Sequence, residues 1–352
     1  MYPSAWRAVA SVATVGLLAG ALSACSTPPL HPNGSTSVPP AGQSPARVVA
    51  AVTLRGPAAP AATVAAPALC AAGATLSGGG VSTTLIGGGR PPSSLHADGT
   101  LPAGADAKPL TSSGARAAGW IGLGATGGQL VLGGVTTSYA ICLGGSPLGT
   151  PTIVVATLPG PAVATTTVRP TAVCPAGDRV IGGGGLASVT KGSASPSLHL
   201  IGSFPSDAAG VTAVAGSTDP TAWSAVADAG GRTGSGVETT AFAICGSAKR
   251  GHTQVAVTSV PGPLPASAAT TATASCPGSD ELISGGASTG PQSGSPQQGL
   301  HLTGSFPADA AGVGVGFSPS SAAINSWTAR SESGGQGSPG GTMTTAFAVC
   351  LK

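Results

Sequence analysis

Short runs of Val, Ile, Thr and aromatic residues, each closed by Gly, Pro or Ser, recur along the chain from Val48 onward. In the run Thr137 to Cys142 the side chains alternate: Thr137, Tyr139 and Ile141 share one face, Ser138, Ala140 and Cys142 the other. Such runs read as β-strands. Beyond Ala24, no apolar stretch keeps a helical period long enough for a sizeable helix. At about six strands per 100 residues the pattern predicts an all-β chain of small antiparallel β-sandwich-like units.

The runs repeat as three tandem copies, placed at 47–146, 150–249 and 252–352. Each opens with an apolar run ending in Gly-Pro (Val48 to Pro57, Ile153 to Pro161, Val255 to Pro263) and reaches a cysteine at one fixed distance past that proline. A glycine cluster follows: Gly78-Gly79-Gly80, Gly182-Gly183-Gly184 and Gly285-Gly286. Next come LHADGTLP from Leu95, LHLIGSFP from Leu198 and LHLTGSFP from Leu300. A tryptophan (Trp120, Trp223, Trp327) and a closing Thr-Thr-[Ser/Ala]-[Tyr/Phe]-Ala-[Ile/Val]-Cys complete each copy. Six cysteines therefore fall as Cys70/Cys142, Cys174/Cys245 and Cys276/Cys350, with nearly equal separations. Repetition favours one disulfide inside each copy. The rival set links Cys142 to Cys174, Cys245 to Cys276 and Cys70 to Cys350, closing a ring of domains. Rod and closed triangle both remain open at this point.

The segment Met1 to Ala24 is built differently and reads as a signal peptide. Arg7 precedes an uncharged apolar stretch, Ala8 to Leu22, which is shorter than the roughly 20 residues a membrane-spanning helix needs. Leu22-Ser23-Ala24-Cys25 resembles the lipobox of bacterial lipoproteins. That resemblance implies cleavage before Cys25, acylation of its sulfur, and a membrane partner reached through the lipid anchor. Residues 25–46, with Pro28, Pro29, Pro32, Pro39, Pro40 and Pro45, read as a Pro/Ser-rich tether.

Composition narrows the function classes. Of 352 residues only 7% are charged and 3% aromatic, with 57 glycines and 32 prolines, so each copy has a thin core. The net charge of +3 forms no basic run, which argues against nucleic acid as a partner. Paired cysteines and an export signal agree on an oxidising compartment.

Few residues offer chemistry. Gly122-x-Gly124-x-x-Gly127 matches a dinucleotide fingerprint, but the internal alignment makes Gly127-Gly128 a hairpin turn and gives the other glycines no counterparts. His96, His199 and His301 recur in register, and three imidazoles form a zinc-type set if the copies gather around a threefold axis. The plainer expectation puts each histidine outward on a strand whose leucines point inward. Trp120, Trp223 and Trp327 are candidate sugar-stacking platforms, or the one large core side chain of each domain; the scarcity of aromatics favours core. Asp207 and Asp309 recur without a facing carboxylate, and no catalytic constellation or cofactor motif is present.

The repeat C-P-x-G-x-x-[Val/Leu]-Ile…Ser-Phe-Pro…Trp…[Tyr/Phe]-Ala-[Ile/Val]-Cys is similar to one in secreted proteins of high-GC Gram-positive bacteria, to which no activity attaches. The first copy departs from it, with Ala71 for Pro175 and Pro277, and Leu101 for Phe204 and Phe306. If those positions read a ligand, copy one does not bind it. The expected function is a non-enzymatic, lipid-anchored protein on the outer face of the cell membrane, whose copies bind an envelope polysaccharide or another surface protein. The alternatives are a structural spacer or coat lipoprotein, and a wall-acting hydrolase.

Overall fold

A computed structural model of the chain describes residues 47–87, 94–144, 148–190, 197–231, 233, 236–247, 251–291, 299–314, 324–335 and 337–352. The signal segment, Cys25 and the tether lie outside the described residues. Those described are all-β, without a helix.

Copy one contributes β1 (Arg47–Arg55), β2 (Thr63–Leu69), β3 (Thr75–Leu85), β4 (Leu95–Ala103), β5 (Gly119–Thr126) and β6 (Gly134–Leu143). Copy two contributes β7 (Thr152–Pro159), β8 (Thr167–Val168), β9 (Thr171–Val173), β10 (Asp178–Val189), β11 (Leu198–Ser206), β12 (Ala222–Ala229) and β13 (Val237–Ser247). Copy three contributes β14 (Thr253–Pro261), β15 (Ala269–Ser275), β16 (Glu281–Pro291), β17 (His301–Ala308), β18 (Ser326–Glu332) and β19 (Thr342–Leu351). Each copy folds into two antiparallel layers. In copy one, β1-β6-β3 packs on β2-β5-β4, and Cys70–Cys142 staples the layers. Cys174–Cys245 and Cys276–Cys350 do the same in the other copies, so the within-copy pairing is the one formed.

The layers do not end at the copy boundary. β3 pairs with β17, β4 with β10, and β11 with β16, giving three sheets that each take one layer from two different copies. The junctions are equivalent: Ser305↔Val81, Thr100↔Gly185 and Ser203↔Ala287. β3, β10 and β16 also contact one another across the centre, as do β4, β11 and β17. The copies thus close into a triangle about a pseudo-threefold axis, and the ring needs no disulfide between copies.

The glycine clusters make this closure possible. A Cβ on Gly80, Gly184 or Gly286 would stand 2.2, 2.0 or 2.3 Å from the carbonyl oxygen of Ser305, Thr100 or Ser203 of a neighbouring copy. No larger residue leaves room for strands to approach that closely. The core follows the seams. One cluster joins Trp120 and Leu101 of copy one to Trp223 and Phe242 of copy two, and another joins Tyr139 of copy one to Phe306 and Trp327 of copy three.

Chain direction gives the body two distinct ends. Arg47, Cys142, Cys245, Cys350 and Leu351 lie at one end; Gly56-Pro57, Gly160-Pro161 and Gly262-Pro263 lie at the other. β4, β11 and β17 start at the Gly-Pro end, and that is where their histidines are.

Candidate functional site

The three histidines converge on the axis. Ring centroids are 4.7 Å apart for His96 and His199, 5.6 Å for His96 and His301, and 5.4 Å for His199 and His301. Relative exposures are 1%, 7% and 1%, so of the two outward placements expected for them, exposed or hydrogen-bonded to a neighbouring strand, the exposed one does not form. Their strands are central in the assembly: one face is covered by the copy's own second layer and the other by neighbouring copies.

Each imidazole has a buried carboxylate nearby, and none of the three stood out in the sequence. His96 Nε2 is 3.1 Å from Asp98 Oδ1, and His199 Nδ1 is 3.4 Å from Asp228 Oδ1. His301 is the register partner of Glu332. Asp98 reaches back to His96 because it occupies a β-bulge between Ala97 and Gly99, which turns an extra residue out of the alternation. Asp228 and Glu332 each stand five residues after the tryptophan of their copy, where copy one has Ala125. An alignment of the copies on tryptophan, read for acids and not only for motifs, contains that signal.

The backbone sets part of the protonation. His96 Nδ1 lies 3.1 Å from the Ser94 carbonyl and His301 Nδ1 2.6 Å from that of Gly299, so each of these nitrogens donates. Burial holds His301 well below the ordinary imidazole range, and the neighbouring His199 and His96 push the same way. Burial drives Asp228 well above the ordinary carboxylate range, with His96 partly offsetting it. The arrangement is a buried cluster of three imidazoles and three carboxylates. Among the described residues no three His, Cys, Asp or Glu side chains are disposed to hold a metal ion.

The tryptophans are core. All three are fully buried, and each indole Nε1 donates to the hydroxyl of a seam residue: Trp120 to Thr100 at 2.7 Å, Trp223 to Ser203 at 2.9 Å, Trp327 to Ser305 at 3.0 Å. Such rings present no face to a sugar. Phe204 and Phe306 are buried at seams, against Phe347 and Tyr139, and Leu101 is buried likewise, so these positions serve contact between neighbouring copies. Asp207 and Asp309 cap turns, each accepting backbone N–H bonds from residues two and four further on. Gly122 and Gly124 lie inside β5, where a Cβ would strike Val81 or Thr136 of the facing layer. No phosphate-binding turn forms there.

The outer sheet faces are the accessible ground. Over the seam of copies two and three lies an open trough of 400 Å³, bordered by Arg169, Ile201, Val226, Ser288 and Thr345. Over the seam of copies one and two lies another of 330 Å³, bordered by Asp98, Leu123, Leu186 and Val189. No protein-family model matches this chain, and no curated protein matches it either. Three disulfides fit an oxidising, extracytoplasmic setting.

Proposed function

We propose that the chain is an exported, lipid-anchored envelope protein whose described body is a rigid, non-enzymatic recognition unit for an envelope polymer or a surface partner. The observation that carries this reading is the closure of three copies through shared sheets. It commits the glycines, tryptophans and phenylalanines to one stiff body, and leaves differing troughs on the outer faces. A spacer has no use for troughs that differ in charge. Catalysis is disfavoured at the axis because the three imidazoles there are buried, and the other imidazole–carboxylate contact among the described residues, His252 with Asp219 at the surface, stands apart from them.

Lipidation at Cys25 supplies the address. The chain of the body begins at Arg47, at the disulfide end, so a membrane tether would join it there. Recognition belongs to a single body and not to three swinging modules, and linker-dependent avidity does not arise.

The test is the melting midpoint of the purified protein with a panel of envelope polysaccharides, beside cell fractionation of Cys25→Ala. A ligand at 100 times its dissociation constant adds about 2.7 kcal/mol and raises the midpoint. Release of the variant into the medium is expected. If no polymer shifts the midpoint and crosslinking on cells captures no partner, the spacer reading replaces this one.

A further inference from the structure

Arg169 stands five residues before Cys174, where copy one has Ala65 and copy three Thr271. Its guanidinium lies over Phe204, with Cζ 4.9 Å from the ring centre, and Nη2 donates to Thr212 Oγ1 at 3.0 Å. At the next seam Arg330 does the same to the equivalent ring, with Cζ 5.7 Å from the centre of Phe306. Yet Arg330 stands three residues after Trp327, where the other copies have Leu123 and Val226.

The two arginines therefore reach equivalent phenylalanines from non-equivalent positions. Duplication copies a residue to the same place, not to a different one, so this likeness is not inherited from a common copy. An apolar side chain would cover either ring equally well. Positive charge on the outer face beside both seams is what the two solutions share.

Only one of these arginines borders the 400 Å³ trough. That volume lies within the usual range for small-ligand sites. Ile201 and Val226 give the trough an aliphatic side; Thr167, Ser288 and Thr345 give it hydroxyls that both donate and accept. Burial lowers Arg169 from its ordinary value and Asp207 opposes the shift, but a guanidinium stays charged at any physiological pH. Its planar fork suits the paired oxygens of a carboxylate or phosphate. The corresponding trough over the seam of copies one and two carries Asp98 and has Ala65 in place of the arginine, so it repels the same group.

Resting on the recognition reading above, we infer that the trough over the seam of copies two and three is an anion-reading carbohydrate site. Arg169 pairs with a carboxylate or phosphate carried by a sugar polymer, while the surrounding hydroxyl and aliphatic side chains bear on the sugar rings.

The experiment compares binding of the full chain to three polymers of one backbone: dextran, carboxymethyl-dextran and dextran phosphate. At least one charged dextran should bind tenfold or more tightly than the neutral one, with affinity falling as salt rises. The better of the two identifies the natural anion as carboxylate or phosphate. Arg169→Gln and Ser288→Asp should each cost at least tenfold in that affinity while the melting midpoint stays at the wild-type value, and Arg169→Lys should recover part of the loss. Equal binding of all three dextrans, or wild-type affinity in both trough variants, overturns the anion site and leaves the recognition reading standing. Failure of the wild-type chain to bind any of these or any envelope polysaccharide overturns the anion site and the polymer half of the recognition reading, and crosslinking on cells then decides the surface-partner half.

Discussion

Gly79 lies directly against the indole of Trp120: a Cβ at that glycine would stand 2.3 Å from the ring's Cγ. Gly183 and Gly285 meet Trp223 and Trp327 in the same way. Sequence neighbours of these glycines face the seams, so one short cluster seats the tryptophan inside a copy and admits the next copy's strand. Gly183→Ala is expected to cost about 1–3 kcal/mol or more, because neither Trp223 nor the Phe242 carbonyl can retreat within a packed sandwich. Gly335→Ala, with nothing within 4 Å of the added atom, should change stability by less than about 0.5 kcal/mol. Urea midpoints that coincide for the two variants would remove this contact as a determinant.

Shared sheets and shared core make the three copies one folding unit. The body should unfold in a single transition, with calorimetric and van't Hoff enthalpies in agreement. Replacing Cys174 and Cys245 by alanine frees a loop closed at a separation of 71 residues, a loss of about 4 kcal/mol, and should lower the midpoint of the whole body. Three resolved transitions, only one of them shifted, would contradict this.

Arg47 ties copy one to copy three by donating to the carbonyls of Leu282 and Ile324. Arg47→Met keeps the aliphatic stem and strips those buried oxygens of a donor, at an expected cost of about 1–3 kcal/mol. Hydrogen exchange should quicken first at the start of β16. Protection unchanged from wild type would show that the contact is not needed to hold that seam.

The histidine cluster makes stability depend on pH in two opposing ways. His301 is held below the ordinary imidazole value of 6.5, so its contribution is full above that pH. It is lost as pH falls below 6.5, where the unfolded chain binds a proton that the folded one refuses, with a limiting slope of about 1.4 kcal/mol per pH unit. Asp228 is raised above 3.8, so its burial costs stability at high pH, and the cost fades as pH falls through its folded value. Asp228→Asn should therefore stabilise the protein near neutral pH and expose a steeper acid loss. His301→Gln should flatten that loss. Melting midpoints between pH 5 and 8 decide the matter: an acid slope identical in His301→Gln and wild type would rule out this histidine as its source.

The strands, layers and disulfides were legible because each is written locally, in alternation, turn residues and repeated spacing. The closure was not. Each seam rests on few cross-copy pairs, such as Ser305↔Val81, and the residues that permit it are glycines, which carry no periodic signal. The histidines illustrate the gap. Recurrence of His96, His199 and His301 was plain, but alternation alone turned them outward, since nothing local says that both faces of their strands are covered. Their carboxylates were hidden because copy one supplies Asp98 from a bulge, whereas the other copies supply Asp228 and Glu332 from the neighbouring strand. Arg169 and Arg330 escaped because a search for what the copies share discards what only one of them has.

Each copy offers two unlike edges, one led by its glycine-cluster strand and one by its histidine strand, and the first edge of any copy fits the second edge of another. Such head-to-tail pairing closes after three members, as in a cyclic trimer, but here within one chain. Joining three in one chain releases them from that symmetry. A residue that suits one seam need not suit the other two, and the one bulge position holds Asp98, Ile201 and Thr303 in turn, giving one molecule three faces of different character.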